Sequence, residues 1–237
     1  MSRLLPLTVE GAVGRRRSRT LVGPVDLRIE GAGITVVIGP NGAGKTSLLS
    51  LLHGTERLAE GRIDWAWPLE DARHAQAFVF QRPVMLRRTV AENIAYPLQI
   101  RGVARKEAQA RAADWARRVG LGEVLNRYAP VLSGGEQQKL ALARALIIEP
   151  DVLFLDEPCA SLDGRAMREI EEILLAARDR GTRLVMSTHN MGQARRLADE
   201  VLFLLRGRIH ESGPASTFFT APETPQARAF LKGDIVE

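Results

Sequence analysis

Gly39-Pro40-Asn41-Gly42-Ala43-Gly44-Lys45-Thr46 has the order of a loop that holds phosphate, G-x-x-x-x-G-K-[ST]. Glycines let successive backbone N–H groups turn inward, and a helix starting at the lysine adds its positive N-terminal end. In that arrangement Lys45 reaches the β- and γ-phosphates, the Thr46 hydroxyl ligates Mg2+, and Ser47 extends the binding set. The structural alternative is a tight glycine turn without a ligand, which would desolvate a lysine without a partner. A second reactive pair, Asp156 and Glu157, follows Val152-Leu153-Phe154-Leu155. Burying those four side chains fixes a strand whose acids emerge at its C-terminal edge, where α/β sheets bind ligands. Asp156 suits the Mg2+ shell, and Glu157 is the candidate general base for a water attacking the γ-phosphate. An acidic helix cap is the plain alternative there. A third set is Leu132-Ser133-Gly134-Gly135-Glu136-Gln137-Gln138. Its S-x-x-E spacing is a capping box. The same helix end also offers N–H groups, a hydroxyl and a positive dipole to a phosphate. Spacing alone leaves both readings open.

These residues need rigid elements around them. Residues 34–38 read as a buried strand feeding the glycine loop, and 45–53 as a helix with leucines at 48, 49, 51 and 52. Residues 77–80, 152–155, 183–187 and 201–205 are further strands, the last turned at 206–208 into a hairpin ending near Gly213. Residues 4–10 and 21–29 read as paired N-terminal edge strands, with Arg15-Arg16-Arg17-Ser18-Arg19 as the exposed turn between them. Helical character dominates 104–118 and 134–148, so about 86–146 reads as a helical subdomain inserted in an α/β core made of 1–85 and 147–237. The tail from Pro214 reads as turns and a short helix, and Asp163 as a cap for a helix over 164–177. Trp65, Trp67 and Trp115 read as packing residues or as part of a partner surface, and Cys159 as filling space behind the acid strand.

Composition narrows the function classes. Hydrophobic residues at 45% and charged residues at 26% suit one water-soluble α/β unit. No run approaches the order of 18 apolar residues needed to span a bilayer, and Met1-Ser2-Arg3-Leu4-Leu5-Pro6 lacks the core of a signal peptide. A membrane role is therefore expected from outside the bilayer. The single Cys159 excludes an internal disulfide and fits a reducing compartment. Net charge +5 raises nucleic acid or anionic lipid as partners, but the arginine cluster has no interleaved aromatics and makes a poor single-strand platform.

The signature LSGGEQQ, the phosphate loop and the strand Val152-Leu153-Phe154-Leu155-Asp156-Glu157-Pro158 together resemble the nucleotide-binding subunits of ATP-binding-cassette (ABC) transporters. The resemblance covers roughly residues 4–213. It implies an α/β P-loop NTPase (RecA-like) core with a mainly parallel sheet, antiparallel N-terminal edge strands and an inserted helical subdomain. It implies that Gln81, in Phe80-Gln81-Arg82-Pro83, contacts Mg2+ and the attacking water, and that His189 holds the γ-phosphate beside Glu157. Ser161-Leu162-Asp163 matches a loop that crosses a dimer interface, which brings Asp163 to the nucleotide. Two copies, or this chain and a related subunit, would sandwich ATP between one phosphate loop and the other chain's Ser133, Gly134, Gly135 and Glu136. Closure would move the helical subdomain against a transmembrane permease, with an extracytoplasmic solute-binding protein beyond it. The chain would lie in the cytoplasm, peripheral on the inner face of the membrane.

The stretch from Phe80 to Asn93 looks most like importers of small oxyanions, particularly tungstate. An exporter of lipid or peptide is the alternative. DNA-repair relatives need long insertions between Thr46 and Ser133 that have no room here, so no nucleic acid partner is expected. One departure stands out. The family stacks adenine on an aromatic residue upstream of the lysine, and residues 1–64 hold no Phe, Tyr or Trp. Val13 or an arginine from 15–19 must supply that platform, since a guanidinium plane can stack on a base.

Overall fold

The computed structural model describes residues 4–236; Met1 to Arg3 and Glu237, at the two ends of the expected core, lie outside the described residues. In chain order the strands and helices are β1 (Leu7–Arg16), β2 (Arg19–Ile29), β3 (Gly33–Ile38), α1 (Lys45–His53), β4 (Leu58–Trp65), α2 (Leu69–His74), β5 (Gln76–Val79), α3 (Val90–Ile100) and α4 (Arg105–Arg118). They continue with α5 (Gly134–Leu146), β6 (Val152–Asp156), α6 (Gly164–Asp179), β7 (Arg183–Ser187), α7 (Met191–Leu197), β8 (Glu200–Leu205), β9 (Arg208–Pro214), α8 (Ala215–Phe218) and α9 (Pro225–Lys232).

Continuous apolar runs make strands buried on both faces, and the alternation along them shows which face each side chain serves. Ile34, Val36 and Ile38 of β3, Leu153 and Leu155 of β6, and Leu184 and Met186 of β7 share one hydrophobic cluster with α3 to α9. Their neighbours Val37, Val152, Phe154 and Val185 belong to a second cluster with Leu48, Leu49, Leu51 and Leu52 of α1. These strands lie in a 6-stranded sheet ordered β5-β6-β7-β3-β8-β9. All neighbours are parallel except β9, which returns antiparallel along β8. Both reactive loops leave the C-terminal ends of its central strands.

The N-terminal strands pair antiparallel as expected, but they are longer than expected and form a 3-stranded sheet of their own, β2-β1-β4. Leu7, Val9, Val22, Val25 and Ile29 of that sheet close the second cluster over α1. Its third strand, β4, gives no sequence signal, because most of its residues are exposed and its polarity does not alternate. The turn at Arg17 and Ser18 is exposed, as read. Helices α3 and α5 pack on each other and on α4 within the first cluster. There Trp115 is buried beneath the guanidinium groups of Arg118 and Arg180. The tail holds two helices where one was expected. Phe218 and Phe230 from these helices face Phe203 of β8, which gives the tail a reason to fold.

Candidate functional site

The phosphate loop is shaped by its glycines. Gly39, Gly42 and Gly44 have φ of 149°, 80° and 100°, the region that penalises any side chain. At Gly39 a Cβ would lie 2.1 Å from the Leu204 carbonyl oxygen. Lys45 folds back over the loop, its Nζ donating to the carbonyls of Gly39 at 2.9 Å and Pro40 at 3.2 Å. The lysine therefore has partners without phosphate, which corrects the expectation that a bare turn would leave it with none. Burial holds its pKa below the ordinary lysine value, against the opposing pull of the Glu157 and Asp156 carboxylates. Two carbonyls are a modest substitute for anionic oxygens, so the ammonium is poised to exchange them.

Asp156 and Glu157 are held from the neighbouring strand. Thr46 Oγ1 donates to Asp156 Oδ2 at 2.8 Å, and Ser187 Oγ donates to Asp156 Oδ1 at 2.7 Å. The Glu157 N–H donates to Ser187 Oγ at 3.0 Å. Ser187 thus organises both acids, a role the sequence reading did not assign; the available signal was its place at the end of a strand just before His189. Glu157 has φ 45°, a left-handed conformation that costs a non-glycine residue on the order of 1 kcal/mol. Its Oε2 lies 2.9 Å from His189 Nδ1, and Gln81 Nε2 donates to it at 3.4 Å. Gln81, Glu157 and His189 come together as expected.

The set of a Thr46 hydroxyl beside an Asp156 carboxylate fits Mg2+, a hard cation that takes oxygen and leaves most of its octahedron to phosphate and water. Lys45, Thr46, Ser47, Asn41, Gly42, Gly44 and Glu157 line a cavity of about 420 Å3 with Arg19, Thr20 and Leu21. Of Val13 and the arginines at 15–19, Arg19 lines the loop cavity, and Arg15 lines the adjoining one. Val13 is only 5% exposed and lines that adjoining cavity, which shares Thr20 and Leu21.

Ser133 to Glu136 do not line the loop cavity. Ser133 caps α5: its hydroxyl accepts from the Glu136 N–H at 3.4 Å, and Glu136 Oε2 accepts from the Ser133 N–H at 2.8 Å. The capping box is therefore real. Yet the N–H groups of Gly134 and Gly135 have no acceptor among the described residues. Gly135 lies against Ala166, near the start of α6. Asp163 caps that helix, its Oδ1 accepting from Arg165 N–H at 3.0 Å and Ala166 N–H at 2.8 Å. Cys159 is buried, and burial pushes its thiol up to about 11, so it fills space rather than reacts.

A phosphate loop leaving a parallel sheet, with an acid at the end of a nearby strand, defines a P-loop nucleotide hydrolase. Residues 22–160 match the ABC transporter family. The chain is 39% identical over 91% of its length to the tungstate uptake system ATP-binding protein of Peptoclostridium acidaminophilum, all of which is covered. It is 38% identical over 90% of its length to a probable anion import ATP-binding protein of Haloferax volcanii, of which 81% is covered. It is 37% identical over 90% of its length to a phosphate import ATP-binding protein of Natronomonas pharaonis, again covering 81% of that protein. A solved ATP-binding subunit of an ABC transporter superposes with a TM-score of 0.82 over 96% of this chain and all of that one; at 23% identity it speaks for the fold alone. The chain belongs to the ABC transporter family and is an ATP-binding ATPase. Among the described residues no helix is long and apolar enough to cross a membrane.

Proposed function

We propose that this chain is the motor subunit of an importer, working as a pair in which each ATP is closed between the phosphate loop of one copy and Ser133 to Glu136 of the other. The observation that carries it is the split in the site. One chain supplies a complete loop, acids, Gln81 and His189 in one place, and two acceptor-less N–H groups elsewhere. In this reading Lys45 trades its carbonyl partners for the β- and γ-phosphate oxygens. Thr46 and Asp156 would hold Mg2+, with Gln81 adjoining, and the ion would neutralise charge on the phosphates. Glu157 takes the proton of the attacking water, and His189 orients that carboxylate and contacts the γ-phosphate. Asp163 and the α5 N-terminus meet the opposite copy, where the free N–H groups stabilise developing negative charge.

The partner surface is proposed beside Gln81. Phe80, Val84 and Ile100 are 50%, 74% and 67% exposed. They line, with Phe78, Tyr96 and Pro97, a groove of about 450 Å3 between the α/β core and the helical segment. A cytoplasmic segment of a permease suits that apolar groove, which would place the chain on the inner face of the membrane. Because Phe80 adjoins Gln81, movement of 86–146 as a subdomain would reach Glu157 directly. Relatives named for tungstate, anion and phosphate import favour a small oxyanion as cargo, carried on the outside by a solute-binding protein.

Purified Glu157→Gln protein tests the motor. It should form an ATP-dependent dimer in size-exclusion chromatography and hydrolyse ATP roughly 10²–10⁴-fold more slowly than wild type. A monomer with bound ATP would sink the paired site. Uptake of labelled tungstate against methionine in cells lacking the chain assigns the cargo.

A further inference from the structure

The loop that delivers His189 is tied to α6 behind the site by one buried amide. Gln193, in the first turn of α7, is 1% exposed. Its Oε1 accepts from the Thr188 hydroxyl at 2.9 Å, and its Nε2 donates to Glu171 Oε1 at 3.4 Å. Thr188 directly precedes His189.

The chemistry of the partners fixes every direction in this cluster. Glu171, 6% exposed, is a carboxylate that only accepts, so it must face the amide N–H and turn the carbonyl toward Thr188. The Thr188 hydroxyl donates there and accepts from the Asn190 N–H at 3.1 Å. Asn190 in turn caps α7, accepting from the Gln193 N–H at 2.9 Å. Behind Glu171, Arg196 supplies N–H groups at 2.6 and 3.0 Å. Linked hydrogen bonds that converge on a buried amide and carboxylate reinforce one another, and losing one member leaves its neighbours unsatisfied.

We propose that Gln193 is a positioning residue for ATP hydrolysis, holding Thr188 so that the His189 imidazole stays in reach of the Glu157 carboxylate. The proposal rests on Glu157 and His189 being the hydrolytic pair. It also explains why an amide stands here: a carboxylate at 193 would face the Glu171 carboxylate in a buried site, where two like charges repel strongly.

Steady-state ATPase measurements on Gln193→Leu, Gln193→Glu and the exchange Glu171→Gln/Gln193→Glu decide it, with thermal unfolding run on each. Both single variants should lose about 10–100-fold in kcat, as a small misplacement of a reacting group does, with KM for ATP within about 2-fold. The exchange restores one carboxylate and one amide to the cluster and should recover most of kcat. A purely structural role would lower the unfolding temperature while leaving kcat of the folded protein in place. Gln193→Leu with wild-type kcat, or an exchange variant no faster than Gln193→Glu, overturns the proposal. Should Gln193→Leu fail to fold, the exchange against Gln193→Glu still decides. Glu157→Gln is assayed alongside: full turnover there removes the hydrolytic pair itself, whatever position 193 does.

Discussion

The starts of α3 and α5 are built alike. Thr89 and Ser133 accept from the N–H three residues on, at 3.2 and 3.4 Å, and Glu92 and Glu136 accept from the cap N–H at 3.0 and 2.8 Å. They differ in the next two N–H groups. Those of Val90 and Ala91 donate to the carbonyls of Arg127 and Leu125, both at 3.0 Å, whereas those of Gly134 and Gly135 meet no acceptor among the described residues. Val90 is fully buried, while a Cβ on Gly134 would touch nothing within 4 Å. Neither glycine has a positive φ. Glycine costs a helix up to about 1 kcal/mol relative to alanine, and at Gly134 nothing inside the chain requires it. One helix start is closed by its own chain; the other is left bare and slim, the form that the proposed docking of a phosphate needs.

The hardest blow to that contrast is Gly134→Asp. The position has room and helical backbone, and an acid in the first turn favours the helix, so the unfolding temperature should hold or rise slightly. The new carboxylate nevertheless sits where the γ-phosphate of the other copy is proposed to dock. ATP hydrolysis should fall about 10²–10³-fold, the scale of losing an oxyanion-binding donor, and ATP-dependent dimerisation should vanish with it. Wild-type turnover in this variant would place the phosphate somewhere else.

A milder comparison removes the two cap hydroxyls. Thr89→Ala and Ser133→Ala should each cost about 1 kcal/mol in urea unfolding. Only Ser133→Ala should also reduce kcat per folded molecule, by about 10-fold or more, because a hydrogen bond to a charged group is worth about 1.5–3 kcal/mol. Equal kinetic losses at the two caps would erase the difference between them.

This contrast was not readable from spacing. The T-x-x-E and S-x-x-E runs are the same local code, and only the return of Leu125 and Arg127 to α3 tells which end is spent. Elements written in local pattern were legible: β3, the glycine loop and α1 follow from a buried run, a turn and leucine spacing. Gln81, Glu157 and His189 converge as the family resemblance implied, although the strands carrying them are far apart in sequence. Strand β4 was hidden because its exposed face carries no alternation. Ser187 and Gln193 were hidden because their roles consist of partners from other strands and helices. Arg19 illustrates the half-way case: the missing aromatic pointed to the arginine cluster, and only the folded hairpin shows that Arg19 lines the loop cavity while Arg15 lines the adjoining one.

The smallest expected effect is in acid. Glu92 and Glu136 are both held below the ordinary glutamate range, chiefly by the cap backbone N–H and then by the cap hydroxyl. Each folded carboxylate binds its proton less tightly than the unfolded one. The stability it contributes is therefore complete above the unfolded value of 4.5 and is lost as pH falls through the lower folded value. Both groups are only partly buried, so solvent screening keeps the gain small. Glu92→Ala and Glu136→Ala should be less stable than wild type in urea at about pH 7, and the gap should narrow at about pH 3.5. Trapped ATP separates the two. In the Glu157→Gln dimer a phosphate at the bare N–H groups puts negative charge near Glu136 and none near Glu92. Like charge raises a carboxylate pKa, so the gap at Glu136 should be smaller and finish closing at a higher pH than without nucleotide, with Glu92 unmoved. Parallel movement of the two curves would mean that the phosphate does not sit at the start of α5.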